Sequence, residues 1–477
     1  MSEPKRLHPA TVIFNLLNGI RYSVFFIVII FVTLNDIHLI YAILGEIALF
    51  TILFIASFLS WRRFTYTYRI EEDELRLEYG ILVRKKRYIS KNRIQSIDLT
   101  QNILHRIFKL VKVEIETAGT GAEAEASLNA VTLVQGEALR KELKTVVKVE
   151  LAENEEEIEV RTPSESISRK RLLIAGATSG RIGVLLALGG AAFSELERFI
   201  PTDFYNQAYS WVVGLGLIIL AVMIVAILFL LWIIGIAGTM IKYWNFNISK
   251  VNEDIVITCG LLEKKHITIP LKRIQAVGHV ENIVRQPLGF TTVIAEIAGG
   301  SNEKGEQFST VLFPLMEIGE VDAFLEKFLP EYVTNQSEIT RLPKRSMKYY
   351  LVRSTLPTLL LLIAVMIIIP QFAWIPVVLV VLSILLGYLQ YKDSGIFIDG
   401  KRISLSYRIF SKVTMIINHK RIQAFNKKQH FLHRKEHLAT VQLSIIGKMG
   451  TGKHYHIKEL DEQTVEELES WYSYRGG

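Results

Sequence analysis

Long apolar segments alternate along the chain with charged segments in which hydrophobic residues recur at every second position. The apolar segments are Thr11–Leu34, Ile37–Trp61, Leu172–Ser194, Trp211–Ile241 and Ser354–Tyr391. A helix of about 20 mostly apolar residues crosses the hydrocarbon core of a bilayer. The last segment has 38 uncharged residues, enough for two helices, and Pro370 and Pro376 predict a turn in its middle. The pattern therefore predicts six transmembrane helices in three hairpins.

Basic residues border these segments on one side only. They are Lys5 and Arg6, Arg62 and Arg63, Arg169 to Arg171, Lys242, and Lys344 and Arg345. The intervening loop Glu195–Ser210 carries three acids and one base. Because cytoplasmic loops retain Lys and Arg, the basic side is expected to face the cytoplasm. Both termini are then cytoplasmic.

The charged segments have the pattern of strands followed by one helix. Alternate residues are apolar near the start of the first segment, at Tyr66, Tyr68, Ile70, Leu75, Leu77 and Tyr79. This period of two predicts half-buried strands. Helical spacing of apolar residues follows over Gly136–Lys148, around Phe324 and around Trp471. Each charged segment is therefore expected to be a β domain closed by a C-terminal helix, so that the chain is an α+β membrane protein.

One motif occurs in all three charged segments. Its copies are Asn92-Arg93-Ile94-Gln95-Ser96, Lys272-Arg273-Ile274-Gln275-Ala276 and Lys420-Arg421-Ile422-Gln423-Ala424. Offsets of 273 − 93 = 180 and 421 − 273 = 148 align further apolar residues without gaps over about forty-five positions. The aligned sets include Leu75/Ile255/Ile403, Leu82/Leu262/Phe410, Ile103/Ile283/Phe431 and Leu104/Val284/Leu432. Gly80 and Gly260 occupy equivalent positions, where hairpin turns are predicted. One module is used three times.

The repeat and the apolar segments together predict the domain boundaries. Transmembrane hairpins are expected over residues 1–63, 168–242 and 345–392, and the β domains over 64–150, 243–332 and 393–475.

Composition adds few constraints. Half of the 477 residues are hydrophobic and 21% are charged, which fits apolar segments alternating with charged domains. Cys259 is the single cysteine, so an internal disulfide and a cysteine-based metal site are excluded. The net charge of +8 is compatible with nucleic-acid binding, but in a membrane protein it more often reflects cytoplasmic loops. We expect no nucleic-acid partner.

These features resemble the bacterial PH-domain (pleckstrin-homology-like) multi-pass membrane proteins of the YdbT type. The residues that carry the resemblance are Tyr79-Gly80-Ile81-Leu82 with Arg93-Ile94-Gln95-Ser96, Cys259-Gly260-Leu261-Leu262 with Arg273-Ile274-Gln275-Ala276, Arg421-Ile422-Gln423-Ala424, and Ala177-Thr178-Ser179-Gly180-Arg181. The third copy departs from the pattern, since Tyr407-Arg408 stands where Tyr79-Gly80 stood. The resemblance implies PH-like domains in a bacterial inner-membrane protein with no assigned enzymatic reaction.

Basic residues cluster in register around the repeated motif, and they are the candidate binding residues. They are Arg93, Lys264, Lys265, Lys272, Arg273, Lys420 and Arg421. Beside an anionic leaflet each such cation contributes about 1 kcal/mol of attraction. Two alternatives stay open: the charge serves only orientation and solubility, and the repeated arginine donates a structural hydrogen bond to a turn carbonyl.

Two charged residues, Glu46 and Arg181, lie inside predicted spans. A lone charge at the bilayer centre costs at least about 2.5–3.5 kcal/mol, so each should face a partner or water. The structural interpretation is a mutual ion pair across the bundle. The functional interpretation is a path for a transporter or lipid-handling channel.

Two further patterns do not support a site. Gly447–Lys453 fits G-x-x-x-x-G-K, but His454 follows where a phosphate loop needs Ser or Thr, and the next residues have strand character. His430, His433 and His437 have helical spacing, but the first copy keeps only His105 and the second copy keeps none, and no carboxylate or cysteine pattern completes a metal shell. We therefore expect no metal, no cofactor and no enzymatic activity.

The sequence thus favours a non-enzymatic scaffold or sensor in the bacterial inner membrane. Its repeated PH-like domains are expected to bind an unidentified partner protein or anionic lipid head groups, in envelope maintenance or tolerance to membrane-active agents. Three tethered copies would sum weak contacts into useful avidity. The alternative is the transporter or channel that uses Glu46 and Arg181.

Overall fold

A computed structural model describes residues 5–19, 39–69, 74–117, 126–143, 163–179, 216–298, 309–334, 339–447 and 452–473. The chain divides into two compact units. The first contains residues 1–161 and 262–270, and the second contains residues 162–261 and 271–477.

The strands of the described residues are β1 (Lys5–Arg6), β2 (Thr65–Arg69), β3 (Glu74–Tyr79), β4 (Lys85–Ser90), β5 (Ile94–Gln101), β6 (Leu110–Thr117), β7 (Ala126–Thr132), β8 (Ser164–Ser166), β9 (Asn247–Val251), β10 (Asp254–Cys259), β11 (Lys264–Pro270), β12 (Ile274–Glu281), β13 (Phe290–Ile297), β14 (Thr310–Glu317), β15 (Thr340–Arg341), β16 (Gly395–Asp399), β17 (Arg402–Arg408), β18 (Lys412–Asn418), β19 (Ile422–Lys428), β20 (Leu438–Ile446) and β21 (Gly452–Asp461). The helices are α1 (Ala10–Gly19), α2 (Leu39–Arg63), α3 (Ile103–Ile107), α4 (Leu133–Leu143), α5 (Arg169–Ala177), α6 (Gly216–Tyr243), α7 (Val321–Phe328), α8 (Met347–Ile368), α9 (Trp374–Asp393), α10 (Phe431–Lys435) and α11 (Glu462–Tyr472).

The first unit contains the first repeat, with its apolar face turned inward. Strands β1 to β4 form one antiparallel sheet, and β7, β6 and β5 form another that continues into β11. The alternating residues Leu75, Leu77 and Ile97 are buried in the core between them. Helix α4 closes this core. Its Gly136 packs directly on strand β6, where a Cβ on the glycine would lie 2.7 Å from the Val111 side chain. The predicted strands are present, and the predicted closing helix is present as far as Leu143, while its last five predicted residues, 144–148, lie outside the described residues.

Strand β11 shows that pairing continues from one repeat to the next. In sequence it belongs to the second repeat, yet Lys264 pairs with Gln101 and His266 pairs with Leu99 of the first repeat. The first unit therefore includes a strand of the second repeat.

The second unit contains the rest of the second repeat and the third, and they share one sheet. Its strand order is β14-β13-β12-β18-β17-β16-β15, and β12 pairs with β18 from Ala276–Ile417 to Glu281–Lys412. Gly278 allows this close approach, since a Cβ there would lie 2.1 Å from the Thr414 carbonyl oxygen. Strands β8, β9 and β10 pair consecutively, and β19, β20 and β21 form a further sheet.

The predicted closing helices of the second and third repeats are also present. Val321, Phe324 and Phe328 of α7 are buried, as are Val465 and Leu468 of α11. Their spacing places the apolar side chains on one helix face, which packs against the strands.

Three helices in the described part of the chain are long and apolar enough to cross a membrane: Ala221–Tyr243, Lys344–Ile368 and Trp374–Asp393. The last two are separated by a short turn at Pro370–Phe372, where the sequence predicts a break. They pack closely, with Thr358 and Ser383 hydroxyls 2.9 Å apart. Of the other predicted spans, the structure describes the helices α1 and α2 and the start of the third span.

Helix α5 ends early in that third span. It stops at Ala177, and Thr178 follows with non-helical dihedral angles. Gly176 packs against α6, where a Cβ would lie 3.0 Å from the Ile236 backbone. Gly176 therefore lets the two helices approach closely.

The predicted hairpin turns are confirmed in the first two repeats. Gly80 and Gly260 have φ of 112° and 108°, in the region that favours glycine. The third copy differs as expected: Arg408 continues strand β17, and its guanidinium hydrogen-bonds to Asp393 at 2.5 Å.

Candidate functional site

The repeated motif forms the same local structure three times. A single 3₁₀ turn covers Lys91–Arg93, Leu271–Arg273 and His419–Arg421, and a strand begins at the following isoleucine. That isoleucine is buried in the second and third copies. The motif therefore sets the start of β5, β12 and β19 and places its basic residues in the preceding turn.

The three arginines nevertheless have different surroundings. Arg273 is buried, its Nε donates to the Ala298 carbonyl at 2.9 Å, and the Ala298 amide donates back to the Arg273 carbonyl at 2.8 Å. This contact supports the structural interpretation at that position. Arg93 is exposed, whereas the Arg421 side chain interacts with the phenol of Tyr332.

Three of the predicted binding residues meet in one cleft of the second unit. Lys272 comes from the second repeat, and Lys420 and Arg421 come from the third. The cleft has a volume of about 320 Å³. Its other lining residues are Lys250, Glu253, Leu271, Phe328, Leu329, Pro330, Glu331 and Tyr332. Two copies of the motif thus contribute to one site.

Each lysine of the cleft has an acidic neighbour. Lys272 Nζ lies 3.1 Å from Glu253, and Lys420 Nζ lies 2.9 Å from Glu331. The hydrogen bond from Lys420 lowers the pKa of Glu331. These four side chains are exposed, so each pair contributes little to stability and is available for exchange with a ligand.

The wall of the cleft contains buried polar groups of Tyr332 and Arg421. Burial raises the pKa of Tyr332 to about 12, and its hydroxyl donates to the Ile274 carbonyl at 3.0 Å. Arg421 Nε is buried without a hydrogen-bond partner in the described part of the chain. With four basic and two acidic side chains, 4 − 2 = +2, the cleft suits an anionic ligand.

The cleft lies at one end of the sheet, which we call the far end. At the other end, which we call the helix end, the turn after β10 contacts α6: the Leu261 amide donates to the Ile241 carbonyl at 2.9 Å. Strand β9 starts four residues after Tyr243 and runs to Val251, and Glu253 of the cleft follows it. The eight residues of β12 then separate Lys272 from the helix end by about 26 Å.

The structure does not gather all predicted binding residues. Lys264 and Lys265 start β11, whereas Lys272 lies beyond the last residue of that strand. They also belong to the first unit, as does Arg93. The basic residues that the motif aligns in sequence therefore fall into different places.

Reasoning from sequence missed the acidic and aromatic residues of the cleft. Glu253, Glu331 and Tyr332 lie outside the repeated motif, and nothing in their local sequence marks them. The sequence shows only that acidic residues are nearly as numerous as basic ones, and this does not tell which acidic residue lies beside which lysine.

The structure does not support a site at the other residues that the sequence singled out. The Glu46 side chain and Arg181 lie outside the described residues, so their predicted ion pair is untested. Gly452–Asp461 is a strand, which contradicts a phosphate loop followed by a helix. His433 lies 3.7 Å from Glu459, and His437 lies 3.1 Å from Glu462. Within the described ranges no group of three or more His, Cys, Asp or Glu residues could hold a metal.

Comparison with known proteins agrees with the repeat. The family model described as "Bacterial PH domain" matches three times, at residues 13–147, 207–331 and 353–476. The chain is also 38% identical over 493 aligned positions to the "UPF0699 transmembrane protein YdbT" of Bacillus subtilis (strain 168), and the alignment covers 99% of each chain. The chain is therefore a membrane protein that belongs to the bacterial PH domain family.

Proposed function

We propose that this protein is a non-enzymatic scaffold or sensor of the bacterial inner membrane, and that its basic cleft binds an acidic segment of a partner protein. In this proposal six transmembrane helices form three hairpins, and the PH-like domains and both termini are cytoplasmic. The single observation that carries the proposal is that Lys272, Lys420 and Arg421 share one cleft.

The position of the cleft favours a protein partner over the anionic membrane surface. Lys272 lies about 26 Å from the helix end of its sheet, by the length of β12. Charges separated by more than the Debye length, about 8 Å at physiological salt, are largely screened. Head groups near the helix end would thus attract the cleft weakly, while a cytoplasmic protein could reach it freely.

The composition of the cleft indicates the chemistry of the ligand. Carboxylates of a partner could replace Glu253 and Glu331 as neighbours of the two lysines, so few charges would be left unpaired. The Arg421 guanidinium could donate further hydrogen bonds to a carboxylate. Phe328 and Tyr332 offer apolar contact beside these charges.

The test is the binding of a fluorescently labelled glutamate-rich peptide to the full-length protein in neutral-lipid nanodiscs. Anisotropy should show salt-sensitive binding that weakens at least tenfold when Lys272, Lys420 and Arg421 are all changed to Ser. A control with Lys85, Lys264 and Lys435 changed to Ser removes the same charge from exposed sites elsewhere. Equal weakening in both variants would mean that net charge, not the cleft, binds the peptide.

A further inference from the structure

Some apolar residues that the repeat aligns are buried in every copy, and others are exposed in every copy. Leu75, Ile255 and Ile403 are fully buried, as core positions should be. Three aligned sets, Leu82/Leu262/Phe410, Ile103/Ile283/Phe431 and Leu104/Val284/Leu432, are instead between 38% and 96% exposed in all three copies. A repeated apolar residue that is exposed in every copy is not explained by packing of the domain core.

The exposed residues belong to two loops in each repeat. We call residues 81–83, 261–263 and 409–411 the first loops, and residues 102–109, 282–289 and 429–437 the second loops. The first loops connect β3 to β4, β10 to β11 and β17 to β18, and the second connect β5 to β6, β12 to β13 and β19 to β20.

Each first loop is attached to the end of an apolar helix. In the second repeat, the Leu261 amide donates to the Ile241 carbonyl of α6 at 2.9 Å. In the third, Gln390 of α9 donates to the Ile409 carbonyl at 2.9 Å. In the first, Arg63 of α2 donates to the Ile81 carbonyl. All three contacts are made by the last turn of the helix that precedes the repeat.

The second loop of the second repeat reaches further along its helices. Asn282 Nδ2 donates to the Thr178 carbonyl at 2.8 Å, where α5 ends. Trp232 of α6 donates to the adjacent Ala177 carbonyl at 3.0 Å. Trp232 precedes Tyr243, the last residue of α6, by 11 residues. The contact therefore lies about 16 Å along the helix axis from the C-terminal end of α6. The loop therefore lies beside apolar helix surface, not beyond its end.

The other second loops also adjoin helices. The His105 ring stacks on Phe14 of α1 with centroids 4.3 Å apart. The His433 ring contacts Tyr349 of α8 at 4.9 Å, and Lys348 is paired with Glu436. Basic residues flank the apolar ones in both, at Arg106 and Arg434.

We propose that the first and second loops of every repeat enter the bilayer interface beside their own helices. The inference rests on the proposed membrane-spanning arrangement but not on the cleft. Exposed Leu, Ile and Phe side chains would bury apolar surface among the acyl chains, and the flanking bases would stay at the level of anionic head groups. Each domain is thereby held with its helix end in the membrane and its far end in the cytoplasm.

Depth-dependent fluorescence quenching tests this on the full-length protein. With Cys259 changed to Ser, a single cysteine is introduced at Val284, Phe410 or Leu432 and labelled with an environment-sensitive dye in nanodiscs. Matched controls carry the label at Glu253 or Lys401, which are exposed at the far end. These positions are exposed, so the label replaces no core side chain.

The expected result is several-fold stronger quenching by doxyl-labelled lipid, and weaker quenching by aqueous iodide, at the three loop positions than at the controls. Equal lipid quenching at loop and control positions would overturn the inference. The peptide-binding test distinguishes this failure from failure of the proposed function, because the cleft residues are unchanged in the three variants labelled in the loops.

Discussion

The Arg285 guanidinium donates to the Ala175 carbonyl at 3.0 Å and so links the second repeat to the C-terminal end of helix α5. Its Nε donates to the Thr178 hydroxyl at 2.9 Å. The side chain is buried, and burial lowers its pKa to about 10, so it remains charged at neutral pH. One cation thus supplies donors to the C-terminal end of the helix, where the Ala175 carbonyl and the Thr178 hydroxyl accept them.

Replacing Arg285 by Ala should destabilise the protein by about 2–4 kcal/mol, since it leaves buried acceptors unpaired. Thermal unfolding in detergent, followed by tryptophan fluorescence, should show a lower midpoint. Arg434→Ala, at an exposed position of the third repeat, is the control and should not change it. An unchanged midpoint for Arg285→Ala would show that this link carries no stability.

Gly278→Ala should disrupt the pairing of the second and third repeats. The new Cβ would lie 2.1 Å from the Thr414 carbonyl oxygen and 2.9 Å from Met415 Cα, so backbone must move. We expect a loss above about 2 kcal/mol and faster proteolysis of the third repeat. Gly319→Ala, which meets nothing within 4 Å, is the matched control and should behave as wild type.

Stability should fall as the pH is lowered from about 6.5 to 4. The cause is His279, whose pKa is lowered to about 4 by burial and by Lys412. Between these values the unfolded chain binds a proton that the folded chain does not, so acid favours unfolding, by up to about 3 kcal/mol. The imidazole is neutral at pH 7, so its 3.7 Å contact with Glu281 is not an ion pair.

The measurement is the unfolding midpoint at pH 7.5, 6 and 5 for wild type and His279→Gln. The unfolding midpoint of the variant should fall less between pH 7.5 and pH 5 than that of wild type. A control, His430→Gln at an exposed position, should retain the wild-type profile. If the profile of His279→Gln matched wild type, other groups would account for the acid sensitivity.

Changing Arg408 to Gly, the residue that the first two copies have at this position, should destabilise the protein. Arg408 stands at the position of Gly80 and Gly260, but its buried guanidinium pairs with Asp393, which is itself mostly buried. Arg408→Gly would leave that carboxylate unpaired, at a cost of about 3–5 kcal/mol. Adding Asp393→Asn should recover part of the lost unfolding midpoint. A single variant as stable as wild type would contradict this account.

Much of the fold follows from periodicity in the sequence. The strands, the turns at Gly80 and Gly260 and the closing helices come from local patterns of apolar residues and glycine. The pairing of β12 with β18 does not, because strand edges carry no local signal for their partner. Alignment of Leu82 with Phe410 predicted an apolar position but not its exposure, since hydrophobicity alone does not separate core from surface.

The site was predicted only in part. Lys272, Lys420 and Arg421 were identified from the repeat, and the fold brings them together. Arg273 has a structural hydrogen bond instead, because the turn at Ala298 lies against its side chain. Which basic residues share a site depended on strand pairing between repeats.

Photo-crosslinking in living cells tests the central claim most directly. A benzophenone amino acid at Glu253, on the rim of the cleft, should give a discrete adduct of protein size. The account predicts that changing Lys420 and Arg421 to Ser removes this adduct, while changing Lys85 and Lys435 to Ser does not. An adduct that persists without the two cleft cations, or crosslinks to lipid only, would contradict a cleft that binds an acidic protein partner.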